Sequence, residues 1–323
     1  MNSINWGIIG LGKMARIFAE DLVRVNECRL YAVASRSKEK ARNFGKQFPA
    51  EKYYSNHLEI IDDTAVDVIY IATPHSAHFE LAKQSLLAKK HVLCEKPLCL
   101  NLRETQELIE LARVQECFLM EAIWTRFMPS TKKLIQLLNE QQIGSLICVE
   151  ADFGFQAQFD KNSRLFNKSL GGGSLMDIGI YPLFLSQLCL GTPKTIQALA
   201  RKAPTGVDSS CYMQLDYSNG QKALLKSTFE VNTPCEAMIY GTNGSIKIHN
   251  RFHQSEKIEI FDSQQNSLQV FELPYSGNGY IHEIEEVNQC IMQSKIESDL
   301  LPLDFSLQLA KTMEEVKRRI EVT

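Results

Sequence analysis

Trp6-Gly7-Ile8-Ile9-Gly10-Leu11-Gly12-Lys13-Met14-Ala15 decides how the rest of the chain reads. An apolar run that ends on Gly10-x-Gly12-x-x-Ala15 is a strand turning sharply into a helix. Gly10 permits the tight turn, Gly12 lets backbone approach a pyrophosphate, and Ala15 keeps the helix close to the strand. The start of that helix offers an anion N–H groups with no internal partner. Glycine pairs also punctuate ordinary turns, so position gives the motif its meaning. Here it joins the first strand to the first helix and precedes the end of the second strand by roughly 20 residues, as a dinucleotide fingerprint does. It predicts a cofactor site built on Gly10, Gly12, Lys13, Met14 and Ala15.

Outward from that turn the chain alternates. Residues 5–9, 30–34, 66–71, 91–94 and 118–121 read as strands, with helices at 13–25, 38–48, 77–88 and 102–115 between them. Strands each followed by a helix make βαβ units and a parallel sheet. After about residue 122 the pattern changes. Helices at 130–140 and 174–190 precede strand-like segments at 195–200, 209–217, 223–229, 237–240, 245–248, 257–260 and 268–271, and helices at 279–293 and 304–319 close the chain. Ser218-Asn219-Gly220 and Gly241-Thr242-Asn243-Gly244 are hairpin signals. The expected fold class is α/β. An N-terminal Rossmann domain (1–122) with a doubly wound parallel sheet precedes a C-terminal α/β domain (123–323) with a large, mainly antiparallel open sheet. One face of that second sheet has no helix to cover it, which predicts a homodimer or homotetramer through the sheet.

Bulk properties narrow the classes further. The 323 residues suit two domains, and 44% hydrophobic with 23% charged residues is a globular profile. A net charge of −3 gives no reason to expect nucleic acid or an anionic membrane as partner. The apolar runs are interrupted every few residues, so no membrane helix of roughly 20 residues is expected. No basic, cleavable leader precedes the first strand, and a cytoplasmic location is expected. Nine scattered cysteines without a C-x-x-C pair favour reduced thiols over disulfides or a zinc knuckle, and the seven histidines form no metal pattern.

The end of the second strand chooses between cofactors. An NAD enzyme wants a carboxylate there, but this chain has Ser35-Arg36-Ser37-Lys38, and its first acid is Glu39. A guanidinium suits the 2′-phosphate of NADP, so NADP is expected in preference to NAD, with Arg36 and Ser35 at the ribose. Thr73 and Pro74 end the strand at 66–71, where ligands of such sheets bind. Glu95-Lys96-Pro97 ends the strand at 91–94. Gly171-Gly172-Gly173-Ser174 opens a helix, with Ser174 as its expected N-cap, and Asp177 and Tyr181 four residues apart on one face. Moving a hydride from an alcohol carbon needs a base for the hydroxyl proton. A phenol near pKa 10 becomes adequate beside an ammonium. Tyr181 is therefore assigned as general acid/base, Lys96 as its electrostatic partner and Asp177 as the group that orients Lys96 or a substrate hydroxyl. Lys96 as the proton carrier itself stays open. Plainer roles compete with each: a solvated lysine, an amphipathic helix tyrosine, a charge at a helix start.

Together these residues resemble the Gfo/Idh/MocA family of oxidoreductases over essentially the whole chain. The resemblance rests on Gly10–Ala15, Ala72-Thr73-Pro74 with His78 following, Glu95-Lys96-Pro97, and Asp177-x-Gly179-x-Tyr181. It implies a Rossmann domain followed by an open-sheet domain used for oligomerisation, and a cis Lys96–Pro97 peptide. It also implies that His78, Glu95 and Pro97 join Lys96 at the cofactor, and that Lys96, Tyr181 and Asp177 fall on the family's catalytic lysine, tyrosine and acid. Tyr181, where many members carry His, resembles the branch holding dimeric dihydrodiol dehydrogenase and NADP-dependent xylose dehydrogenase. Trp124, Arg126 and Phe127, with Phe153, Phe155 and Tyr280, are candidate substrate walls. An aromatic platform with few charges suits a sugar, polyol or cyclic diol, although ordinary core packing competes for each ring. The rival from another class is a dinucleotide-sensing regulator, which has no need of Lys96, Asp177 and Tyr181 together.

Overall fold

The computed structural model describes residues 3–322. They form two compact units, Met1–Phe127 with Ser276–Leu307, and Met128–Tyr275 with Gln308–Thr323. In the first, β1 (Ile4–Ile9), β2 (Cys28–Ala34), β3 (Lys52–Tyr54), β4 (Val68–Ile71), β5 (His91–Glu95) and β6 (Leu119–Ala122) make one sheet in the order β3-β2-β1-β4-β5-β6. All its pairings are parallel. Helices α1 (Lys13–Leu22), α2 (Lys38–Gln47), α3 (His57–Ile61), α4 (His78–Leu87) and α5 (Leu102–Gln115) connect the strands. All four β4 residues are buried, as a strand covered on both faces must be. The strand order reverses between β1 and β4, and the crevice at the carboxyl ends beside that switch point is where such sheets take their ligands. The sequence had shown neither β3 nor α3. Both are short, and Lys52 and Tyr53 are exposed, so no hydrophobic period marks them.

The chain comes back to this unit after residue 275. Helix α8 (Ile281–Met292) packs on α1, and Trp6 Nε1, wholly buried, donates to Asn288 Oδ1 at 3.0 Å. The buried Asp21 carboxylate of α1 accepts from the Asn278 and Tyr280 N–H groups, both at 2.9 Å. A single cut at 122/123 leaves this return out, because the contacts join residues more than 250 positions apart. Truncating a tryptophan buried like Trp6 costs about 3–5 kcal/mol, so the return segment is integral to the unit.

In the second unit α6 (Pro129–Asn139) leads to an eight-stranded sheet. Its strands are β7 (Leu146–Gly154), β8 (Thr195–Lys202), β9 (Asp208–Asp216), β10 (Lys222–Thr228), β11 (Ala237–Gly241), β12 (Gly244–Ile248), β13 (Lys257–Asp262) and β14 (Ser267–Glu272). The order is β14-β13-β12-β11-β7-β10-β9-β8. Only β7 and β10 pair in parallel, so the sheet is mainly antiparallel, as expected. The sequence missed β7, which lies in the middle of the sheet; Glu150 and Asp152 interrupt its apolar run. Helix α7 (Ile180–Leu190) packs on β7 and β10. Leu199, Tyr212 and Leu224 are exposed on β8, β9 and β10. Within Lys168–Leu190 an 18-residue window of mean hydropathy 1.3 has the length and composition of a membrane span, but 83% of that window is buried inside the protein, as in a core helix. The chain closes with α9 (Leu303–Val322).

Candidate active site

At the carboxyl end of β1 the backbone of Gly10 has φ +89°, which L side chains rarely adopt. A Cβ there would lie 2.7 Å from Thr73 Cγ2 and 2.8 Å from the Ala72 carbonyl, so the turn is packed against the β4 loop. Gly12 differs: a Cβ on it meets nothing within 4 Å. No side chain caps α1, and no acid stands in its first turn. The positive helix end therefore faces open space, which is what a pyrophosphate requires. Beside it the Thr73 hydroxyl is buried with no hydrogen-bond partner among the described residues. A buried hydroxyl is costly to leave so, and a ligand hydroxyl or amide would satisfy it. These features fit a dinucleotide. Ala15 is fully buried, while Lys13 and Arg36 are exposed. Ser35 Oγ accepts from the Ser37 N–H at 3.3 Å. Burial, and secondarily the Arg36 cation, lower the pKa of His57 at the start of α3.

The Lys96 loop at the end of β5 is fixed from three sides. Tyr70 Oη donates to Glu95 Oε1 at 2.5 Å, His78 Nδ1 is 2.9 Å from Pro97 O, and the Leu98 N–H donates to Glu121 Oε1 at 2.8 Å. The Lys96–Pro97 peptide is cis. His78 is fully buried, and its Nε2 is 3.0 Å from Thr73 O, so both ring nitrogens already face backbone carbonyls. Burial pushes Glu121 up to about 7, against the pull of Ser306, the Leu98 N–H and Lys96. Burial, then Glu95, push Glu283 well above the carboxylate range. Trp124 stacks on Tyr280, with ring centroids 4.7 Å apart and planes 2° from parallel. Phe127 is fully buried, and Arg126 Nε donates to Leu300 O at 2.6 Å. These four belong to the first unit.

In the second unit Asp177 lies in a π-helical turn, Leu175–Gly179, and Tyr181 in the first turn of α7 that follows. The spacing of four thus crosses from one helix type to another, a feature frequent at functional sites. Asp177 is held by Arg164 through two bonds, Nη1 to Oδ1 at 2.6 Å and Nη2 to Oδ2 at 3.3 Å. Ser174 makes no cap bond of its own. Asp208 Oδ2 accepts from the Leu175 N–H and from Ser174 Oγ, both at 2.7 Å. The glycine run serves that contact, since a Cβ on Gly173 (φ +124°) would fall 2.3 Å from Asp208 Oδ1. The buried Tyr181 ring lies 5.6 Å from Phe153 and 5.2 Å from His253, and these two stack at 4.3 Å. Phe155 packs on Phe229, and both Phe155 and Phe153 lie against a small apolar cluster that includes Phe166 and Ile178. Arg164, Asp208 and His253 escaped the sequence reading because each meets its partner through tertiary contact, with no local period to mark it.

The chain matches the oxidoreductase family described by its NAD-binding Rossmann fold over residues 4–123, and the GFO/IDH/MocA C-terminal domain over 131–247. It is 34% identical to trans-1,2-dihydrobenzene-1,2-diol dehydrogenase of Xenopus tropicalis, covering 98% of both chains. Aldose-aldose oxidoreductase of Caulobacter crescentus, solved with glycerol, is 25% identical with a TM-score of 0.90 over 99% of this chain and 98% of its own. A 3-ketoreductase from Actinomadura kijaniata, solved with NADP, shares the fold at TM-score 0.90 and 24% identity, over 99% and 98% of the two chains. The chain belongs to the GFO/IDH/MocA family, and is an NAD(P)-binding oxidoreductase that acts on CH–OH groups.

Proposed function

We propose that this enzyme interconverts the carbinol and carbonyl forms of a sugar, polyol or cyclic trans-diol, with NADP(H) preferred over NAD(H). The observation that carries the cofactor half is the open, uncapped helix start at Gly12 with the unpartnered Thr73 hydroxyl beside it. The exposed Arg36, in place of the carboxylate an NAD enzyme presents, supports the 2′-phosphate preference. The substrate class is supported by the full-length likeness to a trans-dihydrodiol dehydrogenase and by the aldose oxidoreductase neighbour. Bound nicotinamide supplies the hydride acceptor or donor.

The chain's own residues handle the proton. In oxidation Tyr181 Oη takes the substrate hydroxyl proton, and in reduction it gives that proton back. Lys96 supplies the ammonium that favours the phenolate. Asp177, fixed by Arg164, orients a substrate hydroxyl. Gly10, Gly12, Thr73, Pro74 and the Glu95-Lys96-Pro97 loop hold the cofactor, while Trp124, Arg126 and Phe155 serve the substrate. The exposed face of the second unit's sheet joins a second copy of the chain, giving a dimer or tetramer. Nine unpaired cysteines support a cytoplasmic setting.

The test is an NADPH and NADH titration by tryptophan fluorescence, then a turnover screen of aldoses, inositols and trans-diols. Tyr181→Phe is expected to bind NADPH as the parent does while turnover falls about 100-fold or more, the scale of lost general acid–base catalysis. Near-parental turnover in that variant removes Tyr181 from its role.

A further inference from the structure

We propose that His78 is a positioning residue that couples the dinucleotide turn to the lysine-bearing loop, so that occupancy of the first is registered at Lys96. The inference rests on the dinucleotide reading above. Contact runs without a gap along the first unit. The Gly10 turn packs directly on Ala72 and Thr73, Thr73 O lies 3.0 Å from His78 Nε2, and His78 Nδ1 lies 2.9 Å from Pro97 O, next to Lys96. Tyr70 at Glu95, Glu121 at Leu98 and, more weakly, the Cys94 thiol at Leu98 O also hold this loop. His78 adds to its hold on Pro97 a reach to the Thr73 carbonyl. Its first bond partner sits in the loop whose hydroxyl lacks a partner, and its second in the loop that carries the lysine.

The chemistry of imidazole makes this link responsive. Two carbonyl oxygens each ask for a donor, yet a neutral ring carries one N–H. The other nitrogen then turns a lone pair toward a carbonyl at about 3 Å, so tightening one loop loosens the other. Full burial and the Lys96 ammonium favour the neutral ring, the two carbonyls oppose them, and the His75 ring stands edge-on at 5.7 Å. A ligand that engages the Thr73 loop changes which carbonyl is the better acceptor. The ring proton redistributes between Nε2 and Nδ1, and the hold on Pro97 O changes with it.

The experiment reads the imidazole directly. In wild-type protein labelled with 15N-histidine, NADPH is expected to move the His78 Nδ1 and Nε2 resonances in opposite directions, the signature of a tautomer shift. Signals that ignore bound NADPH overturn the coupling while leaving the enzyme reading intact. A wild type that binds neither NADPH nor NADH overturns both. His78→Gln, which keeps a donor, and His78→Phe, which keeps ring bulk only, supply assignment and a second readout. Turnover is expected to fall about tenfold or more in Phe and less in Gln, with NADPH affinity falling in the same order. Variants that melt earlier yet keep wild-type turnover and NADPH affinity assign His78 to structure alone and overturn the proposal. If neither variant folds, the wild-type titration decides, with the His78 signals picked out by their protection from solvent.

Discussion

Replacing Glu121 by Gln is expected to stabilise the enzyme at alkaline pH and to leave it nearly unchanged in acid. The carboxyl is 4% exposed, accepts from the Leu98 N–H, and titrates at about 7 in place of the usual 4.5. Between those values the folded chain keeps a proton that the unfolded chain has already lost. Folded protein therefore binds more protons than unfolded, and stability falls as pH rises from about 4.5 through 7. Roughly 2.5 units at 1.36 kcal/mol each give a loss of up to about 3 kcal/mol above pH 7. Glutamine keeps an oxygen for the Leu98 N–H but has no charge to bury. Its protein should match the parent near pH 4.5 and exceed it at pH 8.5 by up to about 3 kcal/mol, less what is forfeited in attraction to Lys96. In a unit of this size that is a rise of several degrees in melting temperature, at about 2–4 °C per kcal/mol. Differential scanning calorimetry of both proteins from pH 4.5 to 8.5 measures it, and their difference cancels the contributions of other buried acids such as Glu283 and Asp208. Curves that stay parallel across that range, or a variant less stable at pH 8.5, would refute the reasoning.

Three further outcomes are expected. Gly12→Ala should fold as well as the parent, since its Cβ meets nothing, but bind NADPH about tenfold or more weakly; calorimetry and fluorescence titration read the two separately, and unchanged affinity removes Gly12 from the cradle. Arg36→Ala should weaken NADPH by about tenfold, or 1.4 kcal/mol, with little effect on NADH, and equal losses would return the 2′-phosphate assignment to doubt. Light scattering at micromolar concentration should show a dimer or tetramer that Tyr212→Glu with Leu224→Glu dissociates, and a monomeric parent protein ends the sheet-face proposal.

The sequence showed most of the fold because its signals are local. The Gly10–Ala15 turn, the alternation of apolar strands with helices, and the Asn-Gly hairpins each lie within a dozen residues. It was silent where the structure depends on distant partners. Asp208 takes the cap that Ser174 was expected to provide, since a carboxylate from a strand more than 30 residues on fits against the Cα of Gly173. Arg164 and His253 reach Asp177 and Tyr181 through space. Among the candidate walls, only the fold shows that Phe153 and Phe155 pack on one apolar cluster while Phe153 also reaches the Tyr181 ring. Lys96 and Pro97 stood out from their place at a strand end; Tyr70, His78 and Glu121, which hold their loop, lie on β4, α4 and β6 and carry no shared motif.

The return of residues 276–307 to the first unit also has a consequence during synthesis. Asp21 and Trp6 wait for Asn278, Tyr280 and Asn288, and Met128–Tyr275, most of the second unit, is made in between. At 5–20 residues per second that is a delay of about 7–30 s, in which a nearly complete nucleotide-binding sheet stands with its α1 flank uncovered. A nascent chain stalled near residue 200 is therefore expected to bind no dinucleotide, and one released past residue 307 to bind it; retention of both on an immobilised cofactor would show that the sheet matures without its last helix. The order of synthesis thus makes the first part of the enzyme to be translated one of the last to be finished.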